Sequence, residues 1–270
     1  LLALNNKAIR DGMKSVLENN FLGLWSYVGC YEILESIVHK YAAGGKWPAM
    51  WMAIRRTIHY KGGTFTPEYL IRLETLEALA APSDYYHEIE AYVLSNSRDY
   101  VEYDGGSEDY VKVNEKINKK IIELGEIAAT TPGFIESLAS RLWEKNIDAL
   151  YPFGKGLAKG AAKPKVMFNK LVGLMKIQKL QNVEPVVFRG FIAGVHDINP
   201  VLARFFQEAV LTIPELKCHF IDILSATPIA SWGAKKLIEL AKNGELESWR
   251  FERISYGRMH EAINDNDLAS

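Results

Sequence analysis

Apolar residues recur at three- and four-residue spacing through nearly the whole chain, and this period constrains the fold more than any other feature of the sequence. In 116–128, Ile117, Ile121, Ile122, Leu124 and Ile127 share one helical face, while Lys116, Lys119, Lys120, Glu123 and Glu126 take the other. The same spacing runs through 69–80 (Tyr69, Leu70, Leu73, Leu76, Leu79), 134–142 (Phe134, Ile135, Leu138, Leu142), 201–211 (Val201, Leu202, Phe205, Phe206, Val210) and 234–241 (Leu237, Ile238, Leu240). Period-two patterns are scarce. The best strand candidate, Val183-Glu184-Pro185-Val186-Val187-Phe188, carries a proline that suits the first turn of a helix better than a central strand. An all-α fold is expected.

Prolines punctuate these segments. A small polar residue precedes proline in Thr66-Pro67, Thr131-Pro132, Asn199-Pro200 and Thr227-Pro228, a pattern that predicts a capped helix start at each. Pro132, Pro164, Pro200 and Pro228 mark intervals of 28 to 36 residues, the period of helical-hairpin solenoids. No tetratricopeptide or ankyrin consensus is present, so the expected architecture is a right-handed α-solenoid of degenerate HEAT-like helical hairpins. A pair of helical bundles is the competing arrangement.

One irregular acidic stretch, Ser95 to Asp109, interrupts the pattern. It divides the chain into an N-terminal half at 1–95, an acidic loop at 96–112 and a C-terminal half at 113–270. A second break, Tyr151 to Lys165, reads as a short helix flanked by turns. The chain opens at Leu1 and closes on Asn264-Asp265-Asn266-Asp267-Leu268-Ala269-Ser270, a cap-like cluster, and a fragment of a longer chain is expected. With 48% hydrophobic residues and a net charge of -1, disorder and a globally basic nucleic-acid binder are both excluded. No apolar run is long enough to span a bilayer, so no membrane association is expected. Two distant cysteines, Cys30 and Cys218, favour a reducing cytoplasm over a disulfide framework, although one bridge stays open.

Signals of chemistry are weak. Gly154, Gly156 and Gly160 are spaced GxGxxxG rather than GxGxxG, with Pro152 where a strand should end; a tight interhelical turn is the plainer reading. Lys40 stands where a phosphate-binding loop ending in Gly45-Lys46 would need glycine. The six histidines form no HExxH pair, and Cys218-His219, adjacent on a helix, diverge too far to ligate one metal together. GxSxG is missing, and the pairs Glu32/Glu35 and Glu74/Glu77 read as solvated helix faces. No catalytic residue, cofactor or metal is expected, and the chain is read as not an enzyme.

Charge is distributed unevenly. Residues 84–109 hold eight acids and one arginine, whereas 155–189 hold eight bases and one acid. Either block is a candidate contact surface. Aromatics gather in 21–60, where Trp47 and Trp51 lie one turn apart beside Arg55 and Arg56; core packing is the default there, and an exposed ridge would make a binding hot spot. The candidate partner-binding residues are Trp47, Trp51, Arg55, Asp99, Tyr100, Tyr103, Lys155, Lys159, Lys163 and Lys165.

Four segments in order, Tyr151-Pro152-Phe153-Gly154-Lys155-Gly156-Leu157-Ala158, Val187-Phe188-Arg189-Gly190-Phe191-Ile192-Ala193-Gly194, Ala226-Thr227-Pro228-Ile229 and Ile254-Ser255-Tyr256-Gly257-Arg258, resemble a known architecture. It is that of the HEAT-like helical-repeat portions of large bacterial multidomain proteins of the STAND NTPase and antiphage-defence type. The resemblance implies a sensor or scaffold role, with a nucleotide switch or effector elsewhere in the polypeptide. The functional expectation is a non-enzymatic segment that recognises a protein partner or self-associates. The alternative is binding of a nucleic-acid backbone along the 155–189 basic face.

Overall fold

The structure is a computed structural model that describes residues 7–27, 29–43, 47–95, 110–178 and 184–245. These form fourteen α-helices, a 3-10 turn at Gly62–Thr64, and no strand. In chain order they are α1 (Lys7–Trp25), α2 (Tyr31–Ala42), α3 (Pro48–Lys61), α4 (Pro67–Ala80), α5 (Tyr85–Tyr92), α6 (Tyr110–Thr130), α7 (Phe134–Ser137), α8 (Leu150–Gly160), α9 (Pro164–Ile177), α10 (Val186–Ile198), α11 (Pro200–Val210), α12 (Pro214–Lys217), α13 (Phe220–Leu224) and α14 (Ser231–Lys242). The chain divides into two compact units, with the boundary inside α6 between Lys120 and Ile121.

In the first unit, α3 packs against α1, α4 and α5, and α2 packs against α4. Large side chains set these spacings. Phe21, Trp25, Trp47, Met50, Ile54, Leu73 and Leu76 are buried, and Trp25 lies against both Phe21 and Tyr31 at ring separations of 5.6 and 6.3 Å. Polar ties close the helix seams. Arg72 on α4 donates two hydrogen bonds to the Glu35 carboxylate on α2, at 2.5 and 2.6 Å, and Arg55 on α3 reaches Glu77 on α4 at 2.6 Å. Planar bidentate geometry makes the first the stronger tie. Glu35 and Glu77 are thus half-buried ion-pair partners, whereas Glu32 and Glu74 face solvent.

The second unit is built around α8, which packs against α10 and α6 through glycine. A β-carbon added at Gly190 would lie 1.9 Å from the Tyr151 carbonyl oxygen, and one at Gly156 would lie 2.1 Å from that of Ile122. β-Carbons at Gly154 and Gly125 would lie 2.3 Å from the Val187 carbonyl oxygen and 2.4 Å from that of Phe153, and one at Gly194 would lie 2.8 Å from that of Lys155. Without side chains between them, these helices meet backbone to backbone. Around the contact Val187, Phe188, Phe191, Ile192 and Val195 are buried, with the Phe188 ring stacked on Trp143 at 5.4 Å. Phe206 on α11 stacks on Phe168 of α9 at 4.6 Å.

Several expectations are corrected. The short helix expected in 151–165 is α8, but Gly154, Gly156 and Gly160 lie within it rather than in a turn, where each lets a neighbouring backbone approach. Two of the four polar-proline pairs open helices, α4 and α11, and only Asn199 caps with its side chain, accepting from the Leu202 amide at 3.0 Å. The Thr131 hydroxyl donates back to the Ile127 carbonyl instead, and α7 begins only after Gly133, at φ +77. Thr227 is buried. Its hydroxyl accepts from the Gln207 amide at 2.9 Å and donates to Leu224, so α14 starts later, at Ser231. The helix expected over 134–142 stops at Ser137 and continues as turns. The 183–188 segment is helical from Val186, and Val183 lies outside the described residues. Of the 96–112 stretch, 110–112 belong to α6 and the rest lies outside the described residues.

Candidate protein-recognition surface

The clearest exposed contact surface in the second unit grows from two helix starts. At the first, Lys163 precedes Pro164 at the opening of α9, so Lys165 and Val166 fall in its first turn and face solvent. At the second, the Asn199 cap and Pro200 fix the opening of α11. Ala203, Phe206 and Val210 then point inward, while Val201 and Phe205, one turn apart, point out with 81% and 49% of their surface exposed. The Phe206–Phe168 stack anchors α11 on α9 directly beside Phe205. The Lys165 ammonium lies 4.5 Å from the Phe205 ring centroid, joining the two helix starts into one cationic and aromatic edge. Ile198, at the end of α10, and Val166 are also exposed.

The neighbouring charges decide what the edge can attract. Lys155 pairs with Asp197 at 2.7 Å, and Lys170 with Glu136 at 2.8 Å. The Lys170 hydrogen bond holds the Glu136 carboxyl below its ordinary value, against the opposing effect of desolvation. Arg189 is half-buried near the Tyr151 ring, 5.9 Å from its centroid. Lys159 and Lys163 are exposed and pair with no carboxylate among the described residues. Of the described cations in the basic block, Lys155 and Lys170 are paired locally, Lys159, Lys163 and Lys165 stand exposed around the α8–α9 turn and Lys176 stands exposed at the end of α9, while Lys179 lies outside the described residues.

The remaining expected site residues fall elsewhere. Trp47 is 3% exposed, with its indole N–H donating to the Glu18 carboxylate at 2.5 Å and its ring beside Tyr41. Trp51 is 8% exposed beneath the Arg55 guanidinium, 5.5 Å away, and Arg55 is tied to Glu77. Trp47 and Trp51 are core of the first unit, the default expected of them, and Arg55 lies half-buried over Trp51. Asp99, Tyr100 and Tyr103 lie outside the described residues, as does the segment 254–258. From the acidic block, Asp84 caps α5 through the His87 amide and Glu88 pairs with Lys120 at 3.0 Å. Cys30 and Cys218 are free thiols, and Cys218 is exposed. Among the described residues no three His, Cys, Asp or Glu side chains cluster as metal ligands, and no helix is long and apolar enough to cross a membrane.

A second feature escaped the sequence analysis. An open concavity of about 560 Å³ lies between α11 and α14, with Trp232 in its wall and Lys217, Lys236, Glu208, Glu239 and Glu245 around it. Ion pairs run around it: Arg204 with Glu208, Lys236 with Glu239, and Lys217 with Glu245, whose carboxyl is held down by the Lys217 hydrogen bond; Lys235 stands exposed in the same wall. Arg204 also lies over the Trp232 ring at 5.0 Å. No protein-family profile matches the chain, no curated protein is detectably similar to it, and no solved structure matches it.

Proposed function

We propose that the chain is a non-enzymatic helical scaffold or sensor segment that recognises a protein partner through the α9–α11 edge. The observation that carries the reading is Phe205 and Val201 standing exposed beside Lys165, over a rigid stack. An aromatic anchor with an aliphatic neighbour and a cationic rim is the composition of an interface hot spot. The open charges at Lys159, Lys163 and Lys165 select the partner's chemistry: a segment carrying apolar residues with carboxylates beside them.

Within this proposal the helices are degenerate HEAT-like hairpins of a right-handed α-solenoid. What supports it is the pattern of neighbours, in which helices pack both on the next in sequence and on the next but one: α1 with α2 and α3, α2 with α3 and α4, α8 with α9 and α10. A place within a larger polypeptide of the bacterial defence type belongs to the same proposal and rests on the four segments that resemble such repeats.

The test is fluorescence anisotropy with two labelled probes, an acidic amphipathic helical peptide and a DNA duplex, each at low and moderate salt. The peptide is expected to bind the native chain and to lose binding when Val201 and Phe205 are both changed to Ser. Duplex binding that falls steeply with salt, and disappears when Lys155, Lys159, Lys163 and Lys165 are changed to Glu, would instead establish the nucleic-acid reading.

A further inference from the structure

A small hollow in the first unit is lined by Trp25, Ser26, Tyr27, Tyr31, Phe65 and Tyr69, so five of its six lining residues are aromatic. Two chain segments build it. Trp25 ends α1, Ser26 and Tyr27 lead into the turn, and Tyr31 opens α2; Phe65 precedes α4 and Tyr69 sits in its first turn. Ring geometry is fixed by edge-on contacts. Tyr31 meets Trp25 at 6.3 Å and 60°, and Tyr69 at 5.2 Å and 78°. Trp25 is buried and supplies a rigid wall, while Tyr27 is 71% exposed at the mouth. The hollow has a volume of about 140 Å³ and opens to solvent at its mouth, room for a group roughly the size of benzene. Such a volume suits a compact head group rather than a whole ligand.

Aromatic faces carry negative quadrupole potential, so a hollow lined by several rings attracts a cation, most readily one with little hydration to lose. A bare ammonium is strongly hydrated and loses that hydration on entry; a methylated ammonium is apolar on its outside and loses almost none. The surrounding charges agree. The Arg72 guanidinium already lies 4.6 Å from the Tyr31 centroid, so this ring accepts a cation at one face, and the Glu35 fork neutralises that charge. The Tyr69 phenol is held above its ordinary value of 10.0, first by its hydrogen bond with Tyr31 and further by the nearby Glu68 carboxylate. The Glu68 carboxylate acts on Tyr69 more strongly than the opposing Arg72 charge, which the Glu35 carboxylate already engages.

We infer that the Trp25–Tyr27–Tyr31–Phe65–Tyr69 hollow is an aromatic cage for a quaternary or methylated ammonium group. Because Glu68 stands at Tyr69, the cage takes a carrier without an adjoining phosphate, such as choline or a trimethylated lysine side chain, in preference to a phosphocholine head group. Nothing in the cage is nucleophilic, and binding involves no covalent step.

The test is titration of the native chain with tetramethylammonium, choline, phosphocholine and 3,3-dimethylbutan-1-ol, the last being the uncharged isostere of choline. Tryptophan fluorescence and calorimetry provide the readouts. Saturable millimolar binding of the two simple cations is expected, with the neutral isostere at least about tenfold weaker and phosphocholine weaker than choline. Tyr31→Leu should abolish binding. Tyr27→Ala alters a side chain at the solvent edge that leaves the core untouched, so it should weaken binding several-fold while the circular dichroism melt stays the same. Tyr69→Phe keeps the ring and should keep the binding. Equal affinity for choline and its neutral isostere would overturn the inference, as would absence of saturation in the millimolar range or indifference to Tyr27→Ala. N-acetyl-trimethyl-lysine against N-acetyl-lysine gives the final contrast: a preference for the methylated form is expected, and equal binding would likewise overturn the cage.

Discussion

In the first unit the helices are spaced by rings and forks: Trp47 at the start of α3 on Tyr41 of α2, Arg55 of α3 lying over Trp51 and reaching Glu77 of α4, and Arg72 of α4 clasping Glu35 of α2. In the second unit α8 approaches α6 and α10 until carbonyl oxygens face α-carbons, through Gly125, Gly154, Gly156, Gly190 and Gly194. Both arrangements bury an apolar seam between helices, but they fail differently. A ring contact has side-chain ends that relax when one partner shrinks. A backbone contact has nothing to move out of the way when one partner grows. The first unit should therefore be sensitive to loss of volume and the second to its gain.

The sharpest way to break the comparison is Gly190→Val. The obstacle is the carbonyl of Tyr151, which every residue at 151 possesses, so no truncation there makes room. The second unit is expected to lose cooperative folding, seen as lost protection of 121–245 in limited proteolysis with the first unit still protected. Survival of a native melt would show that α8 and α10 can part without penalty. The matching change in the first unit is Trp51→Ala, which empties a buried ring site against Tyr92. A cost of about 3–5 kcal/mol is expected from denaturant titration. A cost under about 1 kcal/mol would mean that Trp51 is held by its surroundings rather than holding them.

Gly173 provides the control of opposite sign. It sits in the middle of α9, and a β-carbon there would meet nothing within 4 Å. Gly173→Ala should stabilise by roughly 0.5–1 kcal/mol, because alanine has less backbone freedom to lose in a helix. Glycine in this unit is thus essential in α8 and α10 and dispensable in α9, a distinction that a destabilised Gly173→Ala would erase.

That distinction also marks how far the sequence could be read. Helical periodicity located α4, α6, α11 and α14 because each buries one stripe, and the stripe is written directly in the order of residues. A short helix was legible in 151–165, but its glycines also fitted a tight turn, since glycine serves close packing and positive φ alike; only the backbone lying across them shows which use is made. Thr131 and Thr227 carried a start signal, but their hydroxyls turned back to the carbonyls of Ile127 and Leu224. Spacing alone grouped Val201, Leu202, Phe205, Phe206 and Val210 on one face, and it could not reveal that Phe206 stacks inward while Phe205 stands in solvent. Likewise Trp47 and Trp51 had the composition of a hot spot, and burial, which sequence does not state, made them core. The aromatic cage was illegible because Trp25–Tyr31 and Phe65–Tyr69 lie far apart in the chain and meet only through the packing of α2 on α4.

The smallest effect separates polar ties from packing within the second unit. Glu136 on α7 and Lys170 on α9 form a pair with 46% and 32% of their side chains exposed, so it contributes under about 1 kcal/mol after solvent screening. The Lys170 hydrogen bond is the main cause that depresses the Glu136 carboxyl in the folded chain below its ordinary 4.5. A depressed carboxylate stabilises fully above its unfolded value and loses that contribution as pH falls through the lower folded value. The denaturation midpoint of Glu136→Gln should therefore lie slightly below the native chain's at neutral pH and converge with it in acid, where the native carboxyl is protonated as well. Lys170→Met should show the same convergence. Parallel curves for both variants would mean that α7 is held by Ile135 in the core alone, and that the second unit depends on close packing even where a charge pair bridges its helices.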